Sequence, residues 1–348
     1  MKKRTKWLSV FLFAMLVVFI SACSSDSSST SSEKGSNEGK GSDEKVSINV
    51  AYGNQPGEPI DLLAKKWKEL AEEKSNGKIE LKLYPSSQLG SEKDVVEQAT
   101  MGNNVIVMAG YDFLMDYVPD AGILTAPYIT DSVDDLLYLT TTDWFDELHE
   151  ALNGAGIHIL TTNTVYGERQ LLTNEPVSTP EDLKGMKIRV PNNQMSIATF
   201  EALGATATPT PLGDLYTSLQ QGLIDGAENP LPVLQGVKAH EVSKHLSLTG
   251  HQKFITTWIA GQSFIDTLPE DVVQILKETG DEAGEYGRGV LEEQTKAVLD
   301  EFKEQGVEVH EVNVEPFKEK VQSVYEKFSE WTPGLYDRIV ELLENKPS

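Results

Sequence analysis

The alternation of predicted strands and helices is the feature that most constrains how this chain can fold. Apolar strands are predicted at residues 46–52 and 79–84, and the segment between them has apolar residues at helical spacing. A second helix begins at Ser91, which has Asp94 three residues later as in a capping box, and precedes a buried-type strand at 105–108. This order favours a parallel sheet with helices on both faces, so we predict an α/β fold.

The rest of the chain carries further predicted elements. Helices are predicted at residues 131–153, from Thr179, and at 195–203, 215–221, 269–305 and 315–344 with a break at Pro333; strands are predicted at 157–161, 186–190 and 307–312. The helix at 269–305 contains glycines at positions 280, 284, 287 and 289. Each glycine lowers local helix stability by about 1 kcal/mol, so we expect the helix to bend there.

The N-terminus has the pattern of a secretory signal peptide. Four cationic residues lie among the first six, and an apolar run follows at residues 7–20. The run is too short to span a membrane, so we predict that residues 1–22 are a signal peptide. Cys23, the only cysteine, follows small residues at the expected cleavage point and resembles the lipidated cysteine of bacterial lipoproteins. A single cysteine also excludes an intramolecular disulfide.

Residues 23–45 are the predicted lipidated cysteine and a tether. From residue 24 onward the segment has no apolar residue, so it cannot form a packed core and should behave as a flexible coil. About 22 residues of such a coil span about 25 Å, enough to hold a domain off a membrane surface. We therefore predict an extracytoplasmic protein that is lipid-anchored to the outer face of the cytoplasmic membrane.

The chain is strongly acidic, with a formal net charge of −24. Loss of the cationic signal peptide would make the mature chain more negative still, so we predict no nucleic-acid partner. An anionic ligand must be held against this overall field by cations placed close to it. Arginines in a candidate site are therefore informative.

Two of the five arginines, Arg169 and Arg189, lie close together in the sequence. Residues 185–233 combine a strand that bears Arg189, an Asn-rich turn, a Pro-rich loop and a Glu-Asn-Pro corner. An arginine can bind a carboxylate or a phosphate through two parallel hydrogen bonds. Arg189 also lies at the carboxyl end of its predicted strand, where α/β proteins usually bind ligands. We predict an anion site here.

No sequence motif indicates catalysis or a metal centre. The chain lacks a nucleophile elbow, a phosphate-binding loop and the common zinc patterns. Its six histidines are scattered, and His240 and His245 lie five residues apart, on different faces of a helix, so we predict no metal site and no cofactor. Carboxylates are too numerous for one pair to stand out as an acid and a base. A binding protein is therefore favoured over an enzyme.

Four blocks of sequence resemble, in order, the solute-binding proteins of TRAP transporters, the dicarboxylate-binding family. They are YPSSQLG at 84–90, RQLLTNEPV at 169–177, DLKGMKIRVP at 182–191 and LYTSLQQGLIDGAENP at 215–230. The resemblance extends from about residue 46 to the C-terminus. It implies a two-lobe fold like that of periplasmic binding proteins, with a ligand cleft between the lobes and a long helix that spans both.

The lobes implied by this resemblance are discontinuous in the sequence. We expect lobe I to comprise residues 46–166 and about 255–294, and lobe II to comprise residues 167–254 and about 295–348. The resemblance implies that the lobes close over a small organic acid and deliver it to the small and large membrane subunits of a permease.

The resemblance also gives roles to individual residues. It implies that Arg189 forms a bidentate salt bridge with the ligand carboxylate and that Arg169 lines the same cleft. Asn229 and Asn54 match amides that contact the ligand, although the residues alone allow each of them to shape a turn instead. Further positions that touch the ligand in some relatives are Asn192, Glu92 and His251.

Departures from the family pattern bear on the ligand. Leu212 occupies a position where relatives often carry an aromatic residue, and Gly110 and Tyr111 replace polar groups used for sugar acids. We therefore expect a smaller or more apolar ligand body, and not a specialist for sialic acid. Glu92 would repel a second carboxylate if it faces the cleft, which leaves a monocarboxylate and a dicarboxylate both open.

We predict from these features a solute receptor that carries out no reaction. Two alternatives stay open at this point. One is a sensor subunit that binds the same kind of acid and delivers it to a receptor kinase. The other is an exported hydrolase or isomerase whose catalytic carboxylates have no recognisable motif.

Overall fold

The computed structural model describes residues 45–347. The predicted signal peptide, Cys23 and nearly all of the predicted tether lie outside this range. No helix in the described range has both the length and the apolar composition needed to cross a membrane.

The described residues form nine strands that belong to one mixed sheet. The strands are β1 (Val46–Ala51), β2 (Ile79–Tyr84), β3 (Val105–Gly110), β4 (Ile157–Thr173), β5 (Lys187–Val190), β6 (Thr206–Pro209), β7 (Gly226–Asn229), β8 (His245–Gly261) and β9 (Glu308–Glu311). Their order is β2-β1-β3-β8-β4-β7-β5-β6, and β9 pairs with β8.

The α/β fold is confirmed, but the prediction of a parallel sheet is wrong at the centre. β1 is parallel to β2 and β3, and β5 is parallel to β6 and β7. Between these two groups, β4 and β8 are antiparallel to each other, β8 is antiparallel to β3, and β4 is antiparallel to β7. Each of the two is 17 residues long and is shared by both halves of the sheet, which produces the two-lobe arrangement.

We call β4 and β8 the crossing strands, because each runs through both halves of the sheet. The sequence-based prediction of strands is least complete for these two. The predicted strand at 157–161 covers only the beginning of β4, and β8 has no counterpart among the predicted elements. The physical reason is that these strands carry polar residues such as Arg169, Gln170 and His251, all of them buried, among their apolar ones. The apolar alternation that identifies a strand is therefore interrupted.

The helices cover both faces of the sheet. They are α1 (Pro59–Lys74), α2 (Glu92–Thr100), α3 (Tyr111–Leu114), α4 (Val133–Leu139), α5 (Asp143–Gly154), α6 (Gln194–Ala202), α7 (Leu215–Gln220), α8 (Leu231–Gly236), α9 (Ala239–Val242), α10 (Gln262–Ile265), α11 (Glu270–Glu304), α12 (Glu315–Tyr325) and α13 (Leu335–Glu344), with short 3-10 helices at Pro119–Thr125, Pro180–Leu183 and Leu212–Asp214. The segment that begins at Thr179 is thus a 3-10 turn.

Two predicted helices are each divided in two. The prediction at 131–153 becomes α4 and α5, because the hydroxyls of Thr140, Thr141 and Thr142 bond to carbonyls three residues earlier and end the first helix. The prediction at 315–344 becomes α12 and α13. The break contains the predicted Pro333 and a glycine, Gly334, with φ of 82°.

Three of the four glycines of α11 have a packing role that the sequence analysis did not predict. The helix runs from Glu270 to Glu304 without interruption. A Cβ atom added at Gly280, Gly284 or Gly287 would lie 2.5, 2.2 or 2.6 Å from a side-chain atom of Thr161, Asn163 or Leu63, respectively. These three glycines lie on one helix face, so they allow α11 to approach β4 and α1 closely.

The same helix contributes to two hydrophobic cores. In the first, Trp67 packs edge-to-face against Trp258 at 5.3 Å, and its indole nitrogen donates to the Leu276 carbonyl of α11 at 3.0 Å. In the second, Phe302 of α11 packs with Leu172 and other buried residues of the opposite half. Both cores also include residues of β4, so α11 packs along this strand and joins the two cores.

Candidate functional site

A cleft at the carboxyl ends of the parallel strands collects most of the predicted site residues. Strand β5 places Arg189 there, and Asn229 is the last residue of β7. The cleft lining includes Asn54, Glu92, Asp112, Tyr166, Arg169, Arg189, Leu212, Asn229 and Phe254. The cavity is about 60 Å³, enough for a few water molecules, so its two walls lie close together.

Arg189 is a buried cation that has no counter-ion in the described part of the chain. Only 3% of its surface is exposed, and its Nε donates to the Thr210 carbonyl at 2.8 Å. No carboxylate among residues 45–347 lies within 4.0 Å of its guanidinium nitrogens. Burial lowers the pKa of Arg189 to about 10, which still leaves it charged at neutral pH. A charge in this position favours an anionic partner, because an isolated buried charge is costly.

Arg169 is paired within the protein, unlike Arg189. Its Nε and Nη2 donate to the two carboxylate oxygens of Glu228 at 2.5 and 2.7 Å. His251 Nε2 lies 3.3 Å from the same carboxylate. Burial opposes ionisation of Glu228, but the charge and hydrogen bonds of Arg169 outweigh it and lower the pKa to about 2. Arg169 thus lines the cleft with its charge already balanced.

Two asparagines place unpartnered amide oxygens at the cleft. Asn229 is 2% exposed, and its Oδ1 has no hydrogen-bond partner within the described part of the chain. Asn54 is fully buried and donates to Glu58 Oε2 at 2.6 Å, while its own Oδ1 is likewise unpartnered in the structure as described. A buried polar atom without a partner costs about 1–3 kcal/mol, so such atoms indicate a ligand or ordered water.

The wall opposite Arg189 is acidic. Glu92 Oε1 accepts from the Gly110 amide at 2.7 Å, and Asp112 Oδ2 accepts from Asn193 Nδ2 at 2.6 Å. Burial raises the pKa of Glu92, and the neighbouring Asp112 raises it further; burial also raises the pKa of Asp112. These carboxyls can therefore hold protons near neutral pH and can donate as well as accept hydrogen bonds.

The remaining predicted positions are distributed differently. Leu212 lines the cleft beside Gly53, where an added Cβ would lie 3.5 Å from the leucine Cδ2. His251 is buried behind the cleft wall, between Glu228 and the Thr249 hydroxyl. Asn192 is exposed and lines a separate surface groove, while its neighbour Asn193 reaches the cleft wall.

The separate groove is larger than the cleft, at about 540 Å³. Its charged lining residues include Lys93 and Asp116, which already pair with each other at 2.9 Å. The groove contains neither of the two buried arginines. Charge and burial therefore identify the smaller cavity as the candidate ligand site.

Several residues of the site were not predicted. Glu228 lies directly before Asn229 in the Glu-Asn-Pro corner, but nothing in the sequence joins it to Arg169. Two buried carboxyls, Asp112 and Glu58, are likewise missed, because both belong to a chain rich in acidic residues. In a chain with so many acidic residues, the sequence does not distinguish a buried carboxylate from an exposed one. Only the surroundings in the folded structure do so.

Glu58 provides a test of the electrostatics of the empty cleft. Burial raises its pKa from 4.5 to about 8. Between these values the folded state holds a proton that the unfolded chain has lost, so stability should fall as pH rises from about 5 to 8. In Glu58→Gln the side chain at this position does not titrate. The fall in stability between pH 5 and 8 should therefore be smaller than in the wild type, by about 1.4 kcal/mol for each unit by which the pKa of Glu58 is raised.

The measurement is urea unfolding of the ligand-free protein at pH 5 and pH 8. Glu69→Gln, on the exposed side of α1, is the matched control. Its unfolding free energy should change with pH along the same slope as that of the wild type. Glu92 and Asp112 titrate in the same range, so a residual slope is expected in the Glu58 variant. An unchanged slope in Glu58→Gln would show that Glu58 is ionised throughout.

The chain matches a family model over residues 50–331, described as bacterial extracellular solute-binding protein, family 7, DctP. The 2,3-diketo-L-gulonate-binding periplasmic protein YiaO of Escherichia coli is 32% identical over 76% of this chain and 80% of its own length.

Two solved structures are similar as well. A TRAP periplasmic solute-binding protein from Ochrobacterium anthropi with bound L-fuconate has a TM-score of 0.84 at 48% identity, covering 86% of this chain and 99% of its own. One from Actinobacillus succinogenes with bound L-galactonate has a TM-score of 0.85 at 43% identity, covering 86% and 100%.

Proposed function

Because this chain belongs to the bacterial extracellular solute-binding proteins of family 7, we propose that it is the receptor of a TRAP transporter for an acid sugar. In this proposal the sugar carboxylate binds to Arg189, and Asn229 and Arg169 complete its surroundings. Closure of the two lobes presents the loaded receptor to the small and large membrane subunits of the transporter. The receptor releases its ligand unchanged.

One observation carries the proposal. Arg189 is buried at the carboxyl end of β5 and has no carboxylate within 4.0 Å among the residues described. A ligand carboxylate would supply the missing charge through two charge-assisted hydrogen bonds. Asn229, the last residue of β7, adds an amide at the same edge of the sheet. The missing carboxylate partner of Arg189 supports the proposed clamp.

The acidic wall favours a hydroxylated ligand body. Glu92 and Asp112 offer buried oxygens that can accept hydrogen bonds from sugar hydroxyls, and their protonated forms can donate. This favours a sugar acid over the more apolar body that Leu212 indicates. Relatives with 48% and 43% identity were solved with the six-carbon sugar acids L-fuconate and L-galactonate. We therefore propose an aldonate of this size.

A phosphate ester is a weaker candidate. A relative with 34% identity was solved with bound sn-glycerol 3-phosphate. A phosphate group carries up to two negative charges, whereas Arg189 is the one buried arginine in this cleft that has no carboxylate partner among the described residues. The second charge would face Glu92 and Asp112, so a monocarboxylate fits the charge balance better.

Isothermal titration with matched ligands tests this function. We expect L-fuconate or L-galactonate to bind, and L-fucose, which lacks the carboxylate, to bind about 30- to 5,000-fold more weakly. sn-Glycerol 3-phosphate should bind more weakly than the better aldonate. Equal affinity for fuconate and fucose, or no binding of any sugar acid, would contradict the proposal. Recovery of the bound aldonate unchanged after incubation excludes a hydrolase or isomerase acting on it.

The family is extracytoplasmic, and we further propose that this member is lipid-anchored through Cys23. The support is the sequence pattern at residues 1–23, which lie outside the described residues. Metabolic labelling with palmitate should mark the wild type and not Cys23→Ser. Labelling of both proteins to the same extent would contradict the anchor.

A further inference from the structure

A second group of ligand-type side chains lies outside the cleft, on strands β8 and β9. His245 begins β8, and Glu308 and His310 lie two residues apart on β9, so they share one face of that strand. The two strands are parallel, with His245 opposite Glu308. One ligand atom from each of the three residues lies within 4.8 Å of the other two.

The spacing of these atoms is that of ligands on a single metal ion. His245 Nδ1 lies 3.2 Å from His310 Nε2 and 3.6 Å from Glu308 Oε2. Ligand atoms at 2.0–2.1 Å from a tetrahedral zinc ion are separated by about 3.3–3.4 Å. No large movement of either strand is therefore needed for the three groups to coordinate one cation.

We propose that His245, Glu308 and His310 bind a divalent transition-metal cation of the zinc type. Two imidazoles and one carboxylate form a ligand set suited to such ions, and less suited to calcium or magnesium, which prefer oxygen ligands. The histidines are half-buried and Glu308 is exposed, so a fourth position stays open to water. The strongly negative chain also favours accumulation of cations.

The simpler explanation is a hydrogen bond between two stacked imidazoles. The rings are 5.4 Å apart with an interplanar angle of 27°, which is compatible with such a contact. That contact accounts for the two histidines but gives Glu308 no necessary part. Metal binding requires all three residues, so the carboxylate distinguishes the two explanations.

Metal binding at this position would fasten β9 to the sheet. Among the described residues β9 pairs only with β8, over four residue pairs that include His245 with Glu308. Strand β9 follows α11, the helix that contributes to both cores. The cation would therefore stabilise the folded state without entering the ligand cleft, because it binds residues that are brought together only by folding.

The test is titration of the purified protein with Zn²⁺ alone, after removal of any histidine tag. We expect one saturable site in the wild type. His310→Gln should weaken binding by about 100-fold or more, because even outer-shell changes commonly reduce metal affinity by about 10- to 100-fold. His149→Gln removes a half-buried histidine elsewhere and should bind Zn²⁺ as the wild type does.

Glu308→Gln provides the second variant, since an exposed side chain can be replaced without loss of folding. It should also bind Zn²⁺ more weakly, and the melting temperature of the wild type, but not of either variant, should rise with Zn²⁺ over EDTA. The proposal is overturned by no saturable binding to the wild type, or by wild-type affinity in Glu308→Gln. The second outcome would leave only the contact between imidazoles.

Discussion

Arg189→Ala should lose affinity for the aldonate by about 30- to 5,000-fold, while the ligand-free protein keeps its stability. The loss corresponds to the 2–5 kcal/mol expected when one partner of a buried charge pair is removed. The ligand carboxylate would then enter a cleft whose other buried ionisable groups are Glu92, Asp112 and the balanced pair of Arg169 with Glu228. The ligand carboxylate would lose its hydrating water, and no unpaired buried cation would replace that interaction.

The stability of this variant separates a binding role from a structural one. In the ligand-free protein Arg189 is a buried charge with no carboxylate within 4.0 Å in residues 45–347, so its removal relieves a cost. Arg189→Met fills most of the space and should unfold at the same or a higher urea concentration than the wild type. A clear loss of stability in Arg189→Met would indicate that the guanidinium holds the fold together.

Arg288→Ala is the matched control for these titrations. Arg288 lies on α11 and pairs with Asp134 at 2.8 Å and Glu292 at 3.3 Å, where it is partly exposed. Its loss should change affinity by less than about threefold, because exposed ion pairs contribute about 0–1 kcal/mol. If Arg189→Ala also kept near-wild-type affinity, the carboxylate clamp would have to be abandoned.

Glu228→Gln should destabilise the ligand-free protein by about 3–5 kcal/mol. The change removes the charge that balances Arg169 and leaves two buried guanidinium groups in one cleft. Because the pKa of Glu228 is about 2, its contribution to stability is present above the pH at which the unfolded carboxyl ionises, and is lost as pH falls towards 2. Urea unfolding at pH 7 and at pH 3 measures both effects.

The wild type and Glu228→Gln should therefore differ most at pH 7 and less at pH 3. Glu168→Gln is the control, because Glu168 precedes Arg169 on β4 and its partner Lys253 lies 2.8 Å away near the surface. It should cost no more than about 1 kcal/mol. A similarly small effect of Glu228→Gln at pH 7 would mean that the buried pair contributes little to folding.

The position of Arg189 could be predicted because local sequence determines it. Alternating apolar residues define β5, and Pro191 ends it, so the arginine must lie at the carboxyl end of a strand. The parallel groups β1–β3 and β5–β7 follow the same logic, although β6 and β7 are too short to leave a recognisable pattern. Where a strand is buried between helices, its composition is sufficient to identify it.

The crossing strands and the charge pairing could not be predicted in this way. β4 and β8 form the back of the cleft, and therefore carry polar residues that ordinary buried strands lack. Arg169 and Glu228 meet because β4 and β7 are adjacent, and strand adjacency is a property of the whole sheet. The resemblance to the family supplied the two lobes, but it did not show which arginine already had a partner.

The crossing strands also determine when the fold can be completed. β3 pairs with β8, which joins Ile106 to Ala260, so the sheet of the N-terminal half is unfinished until residues far along the chain have been made. Contacts between such distant residues form slowly, because a long loop must close first. A newly made chain therefore stays unfolded for longer than one built from local contacts. For a chain with the predicted signal peptide, this delay preserves the unfolded form that can be threaded through a membrane channel.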